Sequence, residues 1–206
     1  MVRNVSAFWV GLALAAVLLA CEAPAEPTPH AIPTPSPSSL PPVATDLPSP
    51  TPRATMTVTV FFNNTRLNPN LIDCARVFPV VREVPASEDR LTAALRALFG
   101  GPTPGEAEEG YVSLFSGATQ DILIWARVQG DTAYINLKDI RLLIPSASAS
   151  CGSADFFAEV ENTVKAVANV RRVLFAIEGD PTPFYEFTQI GCGPENDDCD
   201  RTPFGP

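Results

Sequence analysis

The 27 residues from Ser153 to Gly179, SADFFAEVENTVKAVANVRRVLFAIEG, leave this chain few choices of fold. Phe156, Phe157, Val160, Val164 and Val167 recur at three- and four-residue steps, which places them on one stripe of a helix. Ser153 is the expected N-cap, with Asp155 in the first turn where the helix dipole favours negative charge. Asn169 is the expected stop. Val173, Phe175 and Ile177 then alternate with Leu174 and Ala176, a short apolar run that reads as a strand covered on both faces. Gly179 and Asp180-Pro181 end it. A helix laid back on the strand that follows it is the core unit of an α+β layer fold.

The chain before this unit reads as further strands and one more helix. Thr57 to Phe62 alternates Val58, Val60 and Phe62 with threonines, a strand pattern broken by Asn63-Asn64-Thr65 and Asn68-Pro69-Asn70. Val77 to Val84 is a second strand, with Pro79 marking its start or a sheet edge. Ser87 caps a helix with Glu88 and Asp89 in its first turn and Leu91, Ala94, Leu95, Leu98 and Phe99 on one face. Gly100-Gly101-Pro102 ends that helix, and Glu106, Glu108 and Glu109 fall in a solvated loop or short turn between Gly105 and Gly110. Ile122 to Val128 and Thr132 to Leu137 form a hairpin about Gly130-Asp131, a pair suited to a two-residue type II′ turn. That register places Ile122, Ile124, Ala126, Val128, Ala133, Ile135 and Leu137 on the core face. Leu123, Trp125, Arg127 and Tyr134 share the opposite face. Phe184 to Phe187 reads as a last short strand, and residues 191–206 as an acidic tail.

Several segments are similar to one family in the family's own order. Asn162-Thr163-Val164, Val170-Arg171-Arg172-Val173 and Ile177-Glu178-Gly179 resemble the closing segment of the GerMN domain, found in the sporulation protein GerM and in many bacterial lipoproteins. Upstream, the resemblance continues through Phe78-Pro79-Val80-Val81-Arg82-Glu83-Val84-Pro85, Leu91 to Leu98, and Gly101-Pro102-Thr103 with Glu106 and Gly110. It covers residues 56–190. It implies an α+β fold, with a small mixed or antiparallel sheet and two helices packed on one face, similar to the ring-building motif of envelope and secretion assemblies. It also implies a non-catalytic protein-binding module.

The N-terminal 20 residues carry Arg3 and then an apolar run from Val5 to Ala20. That run is short of the ~20 residues needed to span a bilayer and has the flanks of a signal peptide. Leu18-Leu19-Ala20-Cys21 resembles the lipobox of bacterial lipoproteins. The resemblance implies cleavage before Cys21, a diacylglyceryl group on its sulfur, and residence on the extracytoplasmic side of the cell membrane. Two acyl chains anchor stably where one is marginal. From residue 22 to 55 the chain is mostly Pro, Ser, Thr and Ala with almost no large apolar side chain, and 11 of the 22 prolines lie in it. Such a segment cannot bury enough apolar surface to offset its ordering entropy, so it reads as an extended spacer. His30, the one histidine of the chain, lies in it.

Four cysteines follow Cys21: Cys74, Cys151, Cys192 and Cys199. None are spaced as zinc ligands, and an even set in an exported chain reads as disulfides. Three connectivities exist. The short interval from Cys192 to Cys199, around Gly-Pro-Glu-Asn-Asp-Asp, makes a natural small loop, which leaves Cys74 with Cys151.

Residues 56–206 contain no histidine, so a Ser-His or Cys-His nucleophile lacks its base. Twenty acidic residues in that range are compatible with a two-carboxylate hydrolase, but no motif places a pair. Glu195, Asn196, Asp197, Asp198 and Asp200 lack the EF-hand pattern and read as a solvated segment. No cofactor or metal is expected. The formal charge of −9 argues against nucleic acid. What remains is a binding module. Its candidate face is Leu123, Trp125, Arg127 and Tyr134, and its expected partner is an envelope protein, with peptidoglycan or another carbohydrate as the alternative; a third reading is that a loop or the tail after Pro181 folds over Trp125 and makes it core.

Overall fold

Two three-stranded sheets, joined by helices, form the computed structural model of the protein, which describes residues 54–193 and 197–205. The expected signal peptide, Cys21 and His30 lie outside the described residues, as do Glu195 and Asn196. In the first sheet β1 (Thr55–Asn64) lies between β2 (Phe78–Pro85) and the two-residue β3 (Tyr111–Val112), all antiparallel. In the second, β4 (Leu123–Gln129) and β5 (Thr132–Leu137) form a hairpin, and β6 (Arg172–Ile177) pairs with β5 in parallel. Parallel neighbours need a crossover, and α3 (Ser150–Val167) supplies it. The other helices are α1 (Arg90–Phe99), α2 (Pro104–Glu108) and α4 (Pro181–Phe187). The class is α+β.

The strands divide into two sheets because the second edge of β1 is closed by side chains. β2 takes one edge of β1, and β3 reaches only Asn63 and Asn64 on the other. Further back along that edge the amide of Phe61 donates to Thr163 Oγ1 at 3.0 Å, and where the β3 pairing starts the amide of Asn63 donates to Glu159 Oε1 at 3.4 Å. Both acceptors stand on α3 and are fully buried. Edge amides that a strand would have satisfied are met by a helix instead.

The expected apolar stripes form the core. Phe156, Val160 and Val164 of α3 are completely buried, as are Ala94, Leu95, Leu98 and Phe99 of α1. A chain of aromatic rings runs through it: Phe99 to Phe115 at 4.9 Å, Phe115 to Phe156 at 5.5 Å and Phe156 to Phe175 at 5.7 Å, with Phe175 stacked on Phe184 at 4.8 Å. Such pairs contribute about 0.5–1.5 kcal/mol each beyond their buried area. Gly130 takes the left-handed backbone (φ 62°) at the first position of the β4–β5 turn.

Several local expectations are corrected. α3 starts at Ser150 with Ala149 as its N-cap, and Ser153 lies inside the helix, its hydroxyl donating to the Thr188 carbonyl at 3.0 Å. α1 is capped by Asp89, whose carboxylate accepts from the Thr92 amide at 3.0 Å. Residues 184–187 belong to α4, not to a strand, because Asp180 accepts from the Thr182 amide and Pro181 pre-sets the first helical φ. Glu106 is not in a solvated loop. It completes a capping box with Thr103 at the start of α2 and pairs with Arg82. Residues 197–205 are not a free tail either, since they lie against the second sheet.

Two disulfides bind the fold. Cys74–Cys151 ties the loop after β1 to the first turn of α3, and Cys192–Cys199 closes a small loop near the C-terminus.

Candidate functional site

Cross-strand pairing decides which side chains share a face. Arg127 stands opposite Tyr134, and Trp125 opposite Asn136, on the side of β4–β5 that turns away from the core. Tyr134 and Asn136 in turn register with Leu174 and Ala176 of β6. The outer face of the second sheet therefore carries Trp125, Arg127, Tyr134 and Asn136 beside the apolar pair Leu174 and Ala176.

Leu123 is not part of it. The register shifts between Leu123 and Trp125, so Leu123 pairs with Leu137 and is buried in the main core, only 4% exposed. Ile124, the inserted residue, turns out to solvent at 43% exposure. A β-bulge adds one residue and reverses the alternation on one side of it.

Among the described residues no α-helix covers this face. A strap of residues 197–205 crosses it, with short 3₁₀ turns at Asp197–Cys199 and Thr202–Phe204. Phe204, 4% exposed, sits 5.5 Å from the Tyr134 ring, edge to face, and 5.9 Å from Trp125. The Arg127 guanidinium lies over Trp125 at 4.4 Å and donates to the carbonyls of Pro203 and Gly205, the latter at 3.2 Å. Arg172 donates to Asp197 Oδ1 at 2.6 Å and to Asp198 Oδ1 at 2.7 Å. The hydrogen bond from Arg172 holds Asp197 below the usual carboxylate range. Cys199, bridged to Cys192, fixes the start of the strap.

The strap fills only the middle of the trough. To one side is an open groove of about 470 Å³ lined by Trp125, Asn136, Glu178 and Phe204. To the other is one of about 530 Å³ lined by Val128, Tyr134, Thr202 and Pro203. The arrangement can hold an aromatic ring and carbonyl acceptors. Among the residues lining it there is no nucleophile paired with a base.

A second polar cluster lies where α3 meets β1. Glu159 accepts from Ser113 Oγ at 2.5 Å as well as from the Asn63 amide. Burial, with the charge of Asp155 adding to it, pushes the Glu159 carboxyl well above its ordinary range. Burial raises Asp155 to about 6. No group of three or more His, Cys, Asp or Glu residues among the described residues could hold a metal ion. A third cluster is Arg82, which donates through Nε to Glu106 Oε1 at 2.9 Å and through Nη2 to the Gly101 carbonyl at 2.9 Å, with its guanidinium 5.0 Å from the Phe62 ring centre. Both clusters close backbone or charge within the fold.

A family model described as Germane, sporulation and spore germination, matches residues 59–183, well over half the chain. The chain belongs to the Germane family. This is the family to which the sequence resemblance pointed, and Germane is not a known enzyme family. No curated protein and no solved structure matches the chain. The Germane match takes in both sheets and α3 but ends before the strap. The cover over Trp125 and Tyr134 thus lies outside the matched domain. Sequence reasoning placed Trp125, Arg127 and Tyr134 on one face but missed Asn136, Leu174, Ala176 and Phe204. The available signal was Phe204 itself, an aromatic residue stranded among Asp, Arg and Pro.

Proposed function

We propose that this Germane-family chain is a non-catalytic, protein-binding module of the bacterial envelope, anchored through a lipid on Cys21 to the extracytoplasmic side of the cell membrane. The lipobox-like Leu18-Leu19-Ala20-Cys21 supports the anchor, and two disulfides fit an oxidising compartment. The observation that carries the binding role is the outer face of the second sheet. Trp, Tyr and Arg are the residues richest in interface hot spots, and here they stand together on a face that the matched domain leaves without a helix. Trp125 beside Asn136 and Glu178 in one groove is also the aromatic-plus-polar setting in which a sugar ring binds, which favours peptidoglycan as the second reading.

Crosslinking in envelopes followed by affinity capture tests both. Wild-type protein should retain an envelope protein that Arg127→Ala loses, and Cys21→Ser should leave the membrane fraction or accumulate as precursor. Co-sedimentation with purified peptidoglycan, lost in Arg127→Ala, would replace the protein partner with the carbohydrate one. Unchanged partitioning of Cys21→Ser would remove the anchor.

A further inference from the structure

We infer that the trough on the second sheet is a docking site for a short peptide segment of a partner protein that takes up the strap's turned conformation, with an aromatic residue after proline and an acidic residue six or seven positions upstream, and that the strap is its built-in competitor. The inference rests on the protein-binding reading and names the chemistry of the partner.

The strap displays the recognition in cis. Phe204 enters between Trp125 and Tyr134, and the flanking carbonyls of Pro203 and Gly205 accept from Arg127. Upstream, Asp197 and Asp198 meet Arg172. Every one of these contacts uses either a single aromatic side chain, a main-chain carbonyl or a carboxylate. A segment of another protein with the same spacing offers the same groups.

Two observations separate the strap, as a competitor, from a mere extension of the core. It fills only the centre of the trough, leaving grooves on both sides that a longer peptide would also occupy. Its ion pairs, Arg172 with Asp197 and Asp198 and Arg201 with Asp180, stand at exposed or half-exposed positions and stabilise little. One buried ring, the hydrogen bonds from Arg127 and a small disulfide loop hold the rest in place.

Competition follows from effective concentration. A tethered segment meets its own site at millimolar effective concentration, so a free peptide of equal intrinsic affinity binds weakly until the tethered ring is removed.

The test uses a fluorescein-labelled synthetic peptide, DDSDRTPFGP, the sequence of residues 197–206 with serine in place of Cys199. It is titrated into the full chain in detergent and followed by anisotropy. Phe204→Ala should bind it at least about tenfold more tightly than wild type, and adding Arg127→Ala should reverse the gain. A peptide with alanine in place of its phenylalanine should not bind. A folded Phe204→Ala chain that binds no better than wild type overturns the proposal. Should Phe204→Ala fail to fold, the Cys192→Ser, Cys199→Ser pair serves instead: opening the small loop should tighten peptide binding severalfold, and no change overturns the proposal. Arg127-dependent capture of an envelope protein that Phe204→Ala does not improve would leave the binding module standing while removing the competitor.

Discussion

Glu159 reaches the backbone of Asn63 across 96 residues of sequence, accepting its amide at 3.4 Å on the edge of β1 where the two-residue β3 begins to pair. A carboxyl in that position is completely buried, with Asp155 one helical turn away on the same side of α3. Two acids near each other and away from water favour their neutral forms.

Stability should therefore respond to pH in an unusual direction. Both folded-state pKa values are raised, Asp155 to about 6 and Glu159 well above its ordinary value. The folded chain binds protons that the unfolded chain releases. The associated stability is complete below the unfolded carboxyl pKa and is lost as pH rises through 6 and beyond. Against this, Asp139, held at about 2 by its hydrogen bonds from Arg141, and Asp131, lowered by Arg171, lose their contribution only in stronger acid. Thermal melting from pH 4 to 8 should find the protein most stable at the acid end, near the unfolded carboxyl pKa of about 4, and less stable at each higher pH. Glu159→Gln should flatten the decline above pH 6, and an unchanged profile in that variant would remove Glu159 as its source.

Phe204 and Phe156 should differ sharply on truncation although both are buried. Phe156 lies at the centre of the aromatic chain, and Phe156→Ala should cost about 3–5 kcal/mol. If the strap is a separable competitor, the two sheets and α3 stay packed without it, and the cost of Phe204→Ala is capped by that of undocking the strap. A loss of about 1–2 kcal/mol, read by urea denaturation, is expected. A loss as large as that of Phe156→Ala would make the strap an integral part of the core.

The two disulfides should also separate. Cys74–Cys151 spans 77 residues and Cys192–Cys199 spans 7. In the chain-entropy account the first contributes about 4 kcal/mol and the second about 2. Replacing Cys74 and Cys151 by serine should lower the denaturation midpoint for the whole domain. Replacing Cys192 and Cys199 should instead raise hydrogen exchange in the strap with little change elsewhere. Equal effects on the domain would show that the strap and the sheets unfold together.

Glu106→Ala should be worse than its place on the short α2 suggests. It strips Arg82 of its carboxylate while leaving that guanidinium mostly out of water, its side chain 14% exposed. The carbonyls of Ala97 and Gly101 still accept from it, which limits the loss to about 2 kcal/mol by chemical denaturation. Burial works against ionised Glu106, yet the hydrogen bonds from Arg82 keep its carboxyl below the ordinary value.

Elements with a clean period were legible. The stripes of α1 and α3 and the Gly130 turn follow from spacing alone. The bulge was not, because Ile122, Leu123 and Ile124 are all apolar and no polar residue marks the insertion. α4 was mistaken for a strand because Phe184-Tyr185-Glu186-Phe187 is too short to show a period, and Asp180-Pro181 was read as an ending when it is a cap. Glu159 and Thr163 sit one residue before Val160 and Val164, so they border the buried stripe, but a polar residue there reads as solvated until the edge it serves is known. The candidate face was legible as far as the alternation held. A cover from the tail after Pro181 was one of the open readings, but the residue that supplies it, Phe204, was not legible, since nothing local says where a phenylalanine far along the chain will land.

The closure of β1 by α3 also sets the order in which the molecule can assemble. During synthesis β1 and β2 emerge some eighty residues before Glu159 and Thr163, and until those arrive the amides of Phe61 and Asn63 face solvent on an open strand edge. The β1–β2 pair can form early, but the first sheet cannot be finished until α3 is made. β6, made later still, pairs with β5 only through that helix. Contacts this distant in sequence make for slow folding and a long-lived exposed edge, the condition in which chains pair with one another. A nascent fragment ending before α3 is thus the state of this protein most in need of a chaperone.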